Sequence, residues 1–284
     1  MCVIVLNWCD APATAACLDS LRDSTYGNLS VLLVDNASPD SSGAELHRRF
    51  PDVGFLQTGA NLGYAGGNNR GIERALEEGA EFVLVLNPDT IVEPGAVGHL
   101  VHTALRDDRI GAVAPTIVRM DDPSRVWYGG GAFDPVRALG VHWNENGPVP
   151  ATCEPRSVTF CTGCALFLRA EAVRDVGAFD ERYFLYVEDA ELSVRLVRAG
   201  WRLLHDPRPL VRHRVGTPGE EPSPDQLRYR DRNRRRLART HLTPTQRLRF
   251  AAWFYPTRAI HLTRYLGRGD LPRVRALLRG LVER

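Results

Sequence analysis

The chain contains no lysine, so each of its 36 basic residues is an arginine. Long hydrophobic runs are also missing: apolar stretches such as 82–86 and 165–168 are far shorter than the roughly 18 residues that span a bilayer. This excludes an integral membrane protein. The first residues show no basic segment followed by a long apolar stretch and a small-residue cleavage site, as a secretory signal would. We therefore expect a cytoplasmic protein.

Cysteine is scarce as well, with six residues in a chain of 284. That is too few for a disulfide scaffold, and the spacings do not repeat as a metal framework would. Cys161 and Cys164 have redox or zinc spacing but no partner pair, which favours simple packing. No segment fits the G-x-G-x-x-G or the Walker pattern, which disfavours a nicotinamide dehydrogenase and a P-loop kinase.

The net charge of +2 hides an asymmetry along the chain. Residues 226–284 hold 16 arginines and three acidic residues, a balance of +13, which leaves −11 for residues 1–225. We therefore divide the chain into a main domain at 1–225 and an Arg-rich helical region at 226–284. Apolar residues at helical spacing in that region predict amphipathic helices that dock on the main domain or lie on an anionic surface. They argue against a nucleic-acid site.

Short β-rich runs alternate with helical segments over the first 120 residues, which predicts a βαβ sheet. The predicted strands are 3–7, 31–35, 55–58, 82–87 and 111–118, and the predicted helices are 13–22, 44–50, 68–78 and 95–105. A Gly-, Pro- and aromatic-rich excursion at 120–155 precedes a further strand at 165–169 and short strands at 201–204 and 210–211. Because ligands of open α/β sheets bind at the carboxyl ends of the strands, Asn7, Asp35 and the triplet 87–89 should share one crevice.

Two segments suit a phosphorylated ligand. Asn87-Pro88-Asp89 follows an apolar strand, where its carboxylate can hold a divalent cation against a diphosphate, although the triplet also makes a good turn. Residues 61–69 form a Gly- and Asn-rich loop that opens a helix. Such a loop either approaches phosphate or ribose oxygens closely or simply caps the helix.

Two further features carry titratable groups. Glu188 and Asp189 open a helix after an aromatic run, and carboxylates between apolar flanks are more often working groups than surface decoration. The helix N-terminus should keep Asp189 ionised. His213 lies just beyond the last strand and is either structural or a ligand that completes a metal shell.

Together and in this order, the segments resemble the inverting family 2 glycosyltransferases with the GT-A fold, particularly the rhamnosyltransferase-like bacterial branch. The resemblance covers roughly residues 3–240 and rests on 3–8, 34–38, 61–69, 86–90, 179–189, 198–202 and His213. Residues 229–233 are similar to the segment that follows the catalytic domain in that branch. The resemblance implies an α/β fold: a GT-A type, Rossmann-like mixed sheet with helices on both faces, plus a C-terminal helical extension.

The resemblance also implies a role for each site residue. Asp189 would be the general base and Glu188 would orient it or the acceptor. Asp89 and His213 would hold a divalent cation, Mn²⁺ or Mg²⁺. The nucleotide-sugar donor would be bound by Asn7, Asp35, Asn36, Asn61, Gly66, Asn69 and Asn87. The family's metal motif is often Asp-x-Asp, and Asn87 replaces its first acid, so we expect the cation to arrive with the donor diphosphate.

The expected function is therefore that of a hexosyltransferase of family 2, which moves a sugar from a nucleotide-activated donor, such as dTDP-rhamnose, to an acceptor hydroxyl with inversion. The acceptor would be a glycan, a lipid-linked saccharide or a small metabolite. The Arg-rich region would present a cationic face to an anionic acceptor or to the inner face of the membrane; the alternatives are a homodimer interface and a simple solvated face. A sugar nucleotidyltransferase should carry a Gly-rich loop with a basic residue after the first strand, and residues 7–12 have neither. The third hypothesis is a non-catalytic nucleotide-sugar-binding protein, against which Asp89 and Asp189 argue.

Overall fold

The computed structural model describes residues 1–151, 154–216 and 221–283. A 3-10 helix lies at Glu181–Tyr183, before α6. Within the described ranges the strands and α-helices follow in the order β1 (Cys2–Asn7), α1 (Ala11–Arg22), β2 (Ser30–Asp35), α2 (Ser42–Arg49), β3 (Gly54–Gln57), α3 (Gly63–Glu77), β4 (Phe82–Leu86), β5 (Thr90–Val92), α4 (Ala96–Ala104), β6 (Ile110–Arg119), β7 (Val126–Tyr128), β8 (Gly131–Asp134), β9 (Leu139–His142), β10 (Arg156–Val158), β11 (Ala165–Arg169), α5 (Ala170–Val176), α6 (Glu188–Arg198), β12 (Arg202–His213), α7 (Pro224–His241), α8 (Pro244–Gly267) and α9 (Leu271–Val282).

A mixed sheet forms the centre of the molecule, with strand order β10-β12-β6-β11-β4-β1-β2-β3. Strands β4, β1, β2 and β3 are parallel, and β11 runs antiparallel to both β4 and β6. The buried, continuously apolar strands β1 and β4 lie inside the sheet, as strands covered on both faces do. The predicted βαβ sheet is confirmed.

Helices cover both faces of this sheet. The chain adds β2 and β3 on one side of β1 and then returns to add β4 on the other side. Because parallel crossovers are right-handed, this return puts α3 on the face opposite to α1 and α2. Helix α3 approaches the sheet closely through glycines: a Cβ at Gly71 would lie 2.6 Å from Ile4 Cγ2, and one at Gly67 would lie 2.6 Å from Leu6 Cδ1. Part of the glycine content of 61–69 therefore serves helix–sheet packing.

Most predicted elements agree with the structure to within about two residues, and two differ more clearly. Helix α3 starts at Gly63 rather than at residue 68, since Asn61 Oδ1 accepts the Gly63 N–H at 2.9 Å and so begins the helix inside the Gly/Asn segment. The predicted strands 201–204 and 210–211 are one strand, β12, with a bulge between Asp206 and Leu210. The bulge accommodates prolines, which cannot donate a ladder hydrogen bond.

The Arg-rich region folds as three helices that dock on the main body. Helix α7 begins beside the predicted boundary at 225/226, with Ser223 as its N-cap. Leu237, Phe250 and Phe254 join the main hydrophobic core, and a smaller cluster around Tyr265 and Leu277 packs the three helices together. The predicted helical extension is present, and its apolar positions anchor it to the sheet domain.

Described parts of the 120–155 excursion are ordered, as expected. They form β7, which pairs with the end of β6, and the two-stranded sheet β8–β9. Residues 152–153 lie outside the described ranges. None of the helices in the described part of the chain combines the length and the apolar character needed to cross a bilayer.

Candidate active site

A cleft of about 730 Å³ opens at the carboxyl ends of β4 and β12. It brings together five of the predicted site residues, which are Asn87, Asp89, Glu188, Asp189 and His213. The rest of its wall comes from Tyr64 of α3, the excursion, residues 160–164, the loop at 185–187, residues 214–216 and the start of α7. Elements far apart in the sequence thus form one site at the carboxyl edge of the sheet, as expected. Asn7 and Asp35, which were expected in the same crevice as residues 87–89, do not line it.

Asp89 and His213 are brought together by strand pairing. Thr90 of β5 lies opposite His213 of β12, and the Arg214 N–H donates to the Asp89 carbonyl oxygen at 3.0 Å. As a result, His213 Nε2 lies 3.3 Å from Asp89 Oδ1. The Trp127 ring packs edge-on against His213, with 4.6 Å between the ring centroids.

Unsatisfied polar atoms indicate what this pair can bind. Asn87 Oδ1 and His213 Nδ1 are buried and have no hydrogen-bond partner among the described residues, and buried Asp89 Oδ1 makes the ion-pair contact with His213 Nε2 but no hydrogen bond there. No group of three or more His, Cys, Asp or Glu side chains forms a complete metal cage within those residues. An incomplete set of carboxylate oxygen and imidazole nitrogen fits Mn²⁺ or Mg²⁺, which take their remaining ligands from phosphate oxygens and water.

The predicted base, Asp189, lies in the first turn of α6. Its Oδ2 accepts the Gly163 N–H at 2.9 Å and its Oδ1 accepts the Ala190 N–H at 2.8 Å. Glu188, which is 5% exposed, has no described partner for Oε2. The carboxylate of Asp189 is thus held by two backbone donors, whereas one oxygen of the Glu188 carboxylate is left to meet a ligand or a proton.

Burial dominates the electrostatics of this acidic pair. It raises the pKa of Asp189, although the N–H groups of Gly163 and Ala190 act in the opposite direction. Burial raises the pKa of Glu188 as well, and the charge of Asp189 adds to that rise. The sequence predicted that the helix N-terminus would keep Asp189 ionised. In the structure desolvation outweighs that effect, which makes Asp189 a stronger base than an exposed aspartate.

The loop before α6 is strained. Phe184, Tyr186 and Val187 have φ values of 62°, 69° and 74°, in the left-handed region that costs a non-glycine residue about 1–3 kcal/mol. Asn233 of α7 holds this loop: its Nδ2 lies 2.7, 2.8 and 2.7 Å from the carbonyl oxygens of Tyr183, Leu185 and Tyr186. The sequence placed Asn233 in a family-like segment, but nothing in the pattern indicated this contact.

Asn7 and Asp35 form a buried polar network at the ends of β1 and β2. Asn7 Nδ2 donates to Asp35 Oδ1 at 2.8 Å, and Asp35 also accepts from Ser38 Oγ at 2.6 Å and Gln57 Nε2 at 2.7 Å. Gly43 lies so close that a Cβ there would be 2.2 Å from Asp35 Cγ. The carboxylate is therefore fixed in place, beside the cleft rather than in its wall.

The remaining predicted donor-binding residues are engaged mainly by the protein itself. Asn36 Nδ2 donates to Asn61 Oδ1 at 3.1 Å, and Gly66 packs against Leu62. Asn69 joins α3 to the segment before the 3-10 helix, with Nδ2 2.8 Å from the Phe179 carbonyl oxygen and Oδ1 3.0 Å from its N–H. The structure places these side chains outside the cleft wall, and their donor-binding roles stay predictions.

The excursion contributes a residue that the sequence did not single out. His142 Nδ1 lies 3.1 Å from the Trp127 carbonyl oxygen, and since a carbonyl only accepts, Nδ1 carries the proton. Burial lowers the pKa of His142, which keeps the imidazole neutral in the cleft wall. The composition of the excursion predicted an ordered segment, but nothing in the sequence indicated that this histidine lines the site.

The cysteine pair is packed, as the sequence predicted. Cys161 and Cys164 are free and buried, and burial raises the pKa of both thiols. The segment between them serves the site through its backbone. Gly163 donates to Asp189, and the Cys164 carbonyl oxygen accepts the Asn87 N–H at 2.9 Å.

Comparison with known proteins identifies the family. The model of Glycosyl transferase family 2 matches residues 2–177. The chain belongs to this family. It is 35% identical, over 243 residues, to the N-acetylglucosaminyl-diphospho-decaprenol L-rhamnosyltransferase of Mycobacterium tuberculosis, with 78% of each chain covered. The galactofuranosyltransferase GlfT1 of the same organism is 28% identical over 193 residues, which cover 66% of this chain and 60% of that protein.

Solved structures show the same fold. The mannosyltransferase PcManGT from Pyrobaculum calidifontis, in complex with GDP-Man and Mn²⁺, matches with a TM-score of 0.58 at 20% identity, covering 99% of this chain and 79% of that one. GalNAc-T7 with UDP, GalNAc and Mn²⁺ matches with a TM-score of 0.66 at 17% identity, and the match spans 81% of this chain and 46% of that one. The expected GT-A fold and glycosyltransferase class are confirmed.

Proposed function

We propose that this glycosyltransferase moves a sugar from a nucleotide-activated donor to a hydroxyl of a lipid-linked saccharide, with inversion at the anomeric carbon. The observation that carries the proposal is the convergence of the Asp89–His213 pair and Asp189 on one cleft. The Asp89–His213 pair suits a cation-bound diphosphate, and Asp189 offers a buried base.

On the donor side, Asp89 and His213 would hold Mn²⁺ or Mg²⁺. A bound cation neutralises charge that develops on a departing diphosphate. Asn87 Oδ1, which has no described hydrogen-bond partner, would accept a hydrogen bond from the donor. The buried network of Asn7 and Asp35 would give the nucleotide a rigid floor next to the cleft.

On the acceptor side, Asp189 would take the proton of the attacking hydroxyl. Its two backbone donors orient the carboxylate, and its raised pKa improves its strength as a base near neutral pH. Direct displacement requires the base and the leaving diphosphate on opposite sides of the anomeric carbon. Glu188 would orient the acceptor or share the proton with Asp189.

The mycobacterial relative supports the choice of substrates. Its name describes rhamnosyl transfer to N-acetylglucosaminyl-diphospho-decaprenol. We therefore assign dTDP-rhamnose as the donor and a polyprenyl-diphospho-N-acetylglucosamine as the acceptor. A polyprenyl acceptor resides in a membrane, so the enzyme must meet the surface of the bilayer.

An exposed apolar stripe on α8 would make that contact. Leu248, Tyr255 and Leu266 are 73%, 49% and 53% exposed, and their spacings of 7 and 11 residues put them along one side of the helix. Ile260, which is 65% exposed, lies about 120° further around the helix. Exposed arginines, Arg275 and Arg279, accompany exposed Leu278 on α9. An apolar stripe with neighbouring arginines fits an anionic bilayer surface, in which the protein would lie at the interface and not cross it.

A transfer assay tests the function. Purified protein is incubated with Mn²⁺, a short-chain polyprenyl-diphospho-N-acetylglucosamine and, in parallel, dTDP-rhamnose, a UDP-sugar or GDP-mannose. The expected product is a rhamnosylated lipid, formed only from dTDP-rhamnose. Transfer from another donor would reassign the donor. Binding of donor without transfer to any acceptor would favour the non-catalytic hypothesis, and release of pyrophosphate from dTTP and a sugar phosphate would favour the nucleotidyltransferase.

A further inference from the structure

A second cavity, of about 300 Å³, lies between α7, α8 and the turn before β9. Basic side chains dominate its lining, and one of its two carboxylates, Glu221, already accepts hydrogen bonds from two arginines that lie outside the lining. The basic lining residues are Arg137, Arg230, Arg234, Arg258 and His261. We call this cavity the arginine pocket.

Charge in the arginine pocket is not balanced among the described residues. Asp231, which is 1% exposed, faces two guanidinium groups: its Oδ1 lies 2.7 Å from Arg258 Nη1 and 3.7 Å from Arg234 Nη1. Arg234 Nη2, Arg258 Nε, His261 Nδ1 and Asp231 Oδ2 are buried without a hydrogen-bond partner in the described part of the chain. Leaving buried guanidinium N–H groups without acceptors is costly, so an anion that reaches these nitrogens should be stabilised.

Burial and the neighbouring arginines disfavour the positive charge of Arg234. They lower the pKa of Arg234 to about 9, although Asp231 acts in the opposite direction. Arg234 is 3% exposed and lies over the rings of Trp253 and Phe254. A guanidinium held in one orientation by aromatic rings is suited to bidentate contacts with phosphate oxygens.

The arginine pocket adjoins the catalytic cleft. Arg137, Leu139 and Arg230 line both cavities. Helix α8, which supplies Trp253 and Arg258 to the pocket, also carries the exposed apolar stripe. A ligand with an anionic group in the pocket could therefore extend a saccharide toward Asp189 on one side and a lipid along α8 on the other.

From this geometry we propose that the arginine pocket binds the diphosphate of the lipid-linked acceptor. The proposal rests on the proposed function and extends it to a second diphosphate site, separate from the Asp89–His213 pair that faces the donor. The acceptor diphosphate would connect the four arginines, and its saccharide would reach the base through the shared wall.

Binding is tested with inorganic pyrophosphate in EDTA, which removes the contribution of a metal. The parent protein should melt about 2 °C or more higher with excess pyrophosphate, because a ligand that binds only the folded state stabilises it. Asp89→Asn should keep this shift. Arg234→Met and Arg258→Met should lose it. Arg239→Gln, which changes an exposed arginine on α7 outside the pocket, should keep it. Absence of the shift in the parent, or its survival in both pocket variants, would overturn the proposal.

Steady-state kinetics distinguish the lipid-linked acceptor from free phosphate as the ligand of the arginine pocket. With the polyprenyl-diphospho-N-acetylglucosamine acceptor, Arg258→Met should raise the acceptor KM about tenfold or more and leave the donor KM within twofold. Arg230→Gln, a change of a partly exposed residue at the shared wall, repeats the test if Arg258→Met folds poorly. An alkyl N-acetylglucosaminide, which lacks the diphosphate, should show no difference between parent and variant.

Two outcomes are then distinguishable. If the parent transfers sugar to the lipid-linked acceptor and both pocket variants keep its acceptor KM, the proposed function stands and the arginine pocket is at most a site for free phosphate, which overturns this inference. If the parent uses no diphosphate-linked acceptor, the proposed function itself fails, and the acceptor assignment of the pocket fails with it.

Discussion

The side-chain nitrogen of Asn233 lies 2.7 Å from the carbonyl oxygen of Tyr186, two residues before Glu188. Asn233 is fully buried and belongs to α7, in the Arg-rich region, whereas Tyr186 belongs to the strained loop that starts α6. The same nitrogen contacts two further carbonyl oxygens of that loop. Helix α7 of the C-terminal region therefore fixes the loop that positions Glu188 and Asp189.

Asn233→Asp should lower kcat and leave donor binding unchanged. The substitution keeps the size of the side chain but removes the donors, so the loop loses its three contacts and Asp189 shifts. A displacement of about 1 Å in a reacting group can cost on the order of 10²-fold in rate. The measurements are kcat and calorimetric affinity for dTDP with Mn²⁺. Thr240→Ala on the same helix, where the hydroxyl bonds only within α7, is the control. An unchanged kcat would show that α7 merely packs.

Asp89→Asn should abolish most of the metal dependence of donor binding, because Asp89 supplies the carboxylate of the Asp89–His213 pair. The test is calorimetry with nucleoside diphosphate, with Mn²⁺ or with EDTA. His213→Gln should give a smaller loss, since the carboxylate charge remains. Equal affinity in Mn²⁺ and EDTA for the parent protein would refute the metal assignment.

Asp189→Asn should reduce turnover by about 10² to 10⁴, the usual contribution of a general base, with donor affinity within a few-fold. Glu188→Gln should be milder. The base works only when deprotonated, and its pKa is raised, so kcat/KM of the parent should fall on the acid side at a higher pH than for an exposed aspartate. If Glu188→Gln lost activity while Asp189→Asn kept it, the roles of the two residues would be exchanged. Full activity in both variants would rule out a mechanism based on this pair.

Glu188→Gln should also raise the free energy of unfolding at pH 7. Folding raises the pKa of Glu188, so its contribution to stability is present below the ordinary pKa of 4.5 and is lost as pH rises through the raised value. Glutamine cannot ionise and avoids this loss. We expect a gain of about 1 kcal/mol, or roughly 2–4 °C in melting temperature, that disappears in acid.

Glu191→Gln is the matched control for that experiment. Glu191 lies on the same helix, and its pKa is shifted in the opposite direction. Glu191 is buried, but His241 and Arg195 bind its carboxylate and, against the effect of burial, lower its pKa. Its contribution to stability is present above its ordinary pKa and is lost as pH falls. The variant should therefore be less stable than the parent at pH 7. Destabilisation by both substitutions would show that Glu188 has a partner in solution.

Replacing Leu248 and Leu266 together by glutamine should weaken binding to anionic vesicles without changing kcat on a detergent-solubilised acceptor. The parent should co-sediment with these vesicles at low salt and less at high salt, where arginine–lipid attraction is screened. Leu105→Gln, which changes an exposed leucine far from α8 in the sequence, should bind to the vesicles like the parent. No sedimentation of the parent at low salt would refute membrane contact, and loss of a dimer in the double variant would assign the stripe to self-association.

The sequence predicted the sheet well because its signals are local. Strands such as β1 and β4 are apolar runs between polar segments, and Asp89 follows such a run directly. Contacts made by short or irregular elements could not be predicted. Strand β5 has three residues, too few for a pattern, yet it places Asp89 beside His213. The direction of the pKa shift at Asp189 depends on burial, and the position of this residue in the sequence does not reveal how buried it is.

The antiparallel pairing of β5 with β12 has a consequence for metal affinity. Side chains alternate between the faces of a strand, so a slip of one residue would turn His213 away from Asp89. The two candidate ligands are therefore preorganised by the folded sheet, and a cation need not order a loop to bring them together. Affinity for Mn²⁺ should then be coupled to the integrity of this edge of the sheet: conditions that fray the end of β12 should release the cation before the rest of the protein unfolds.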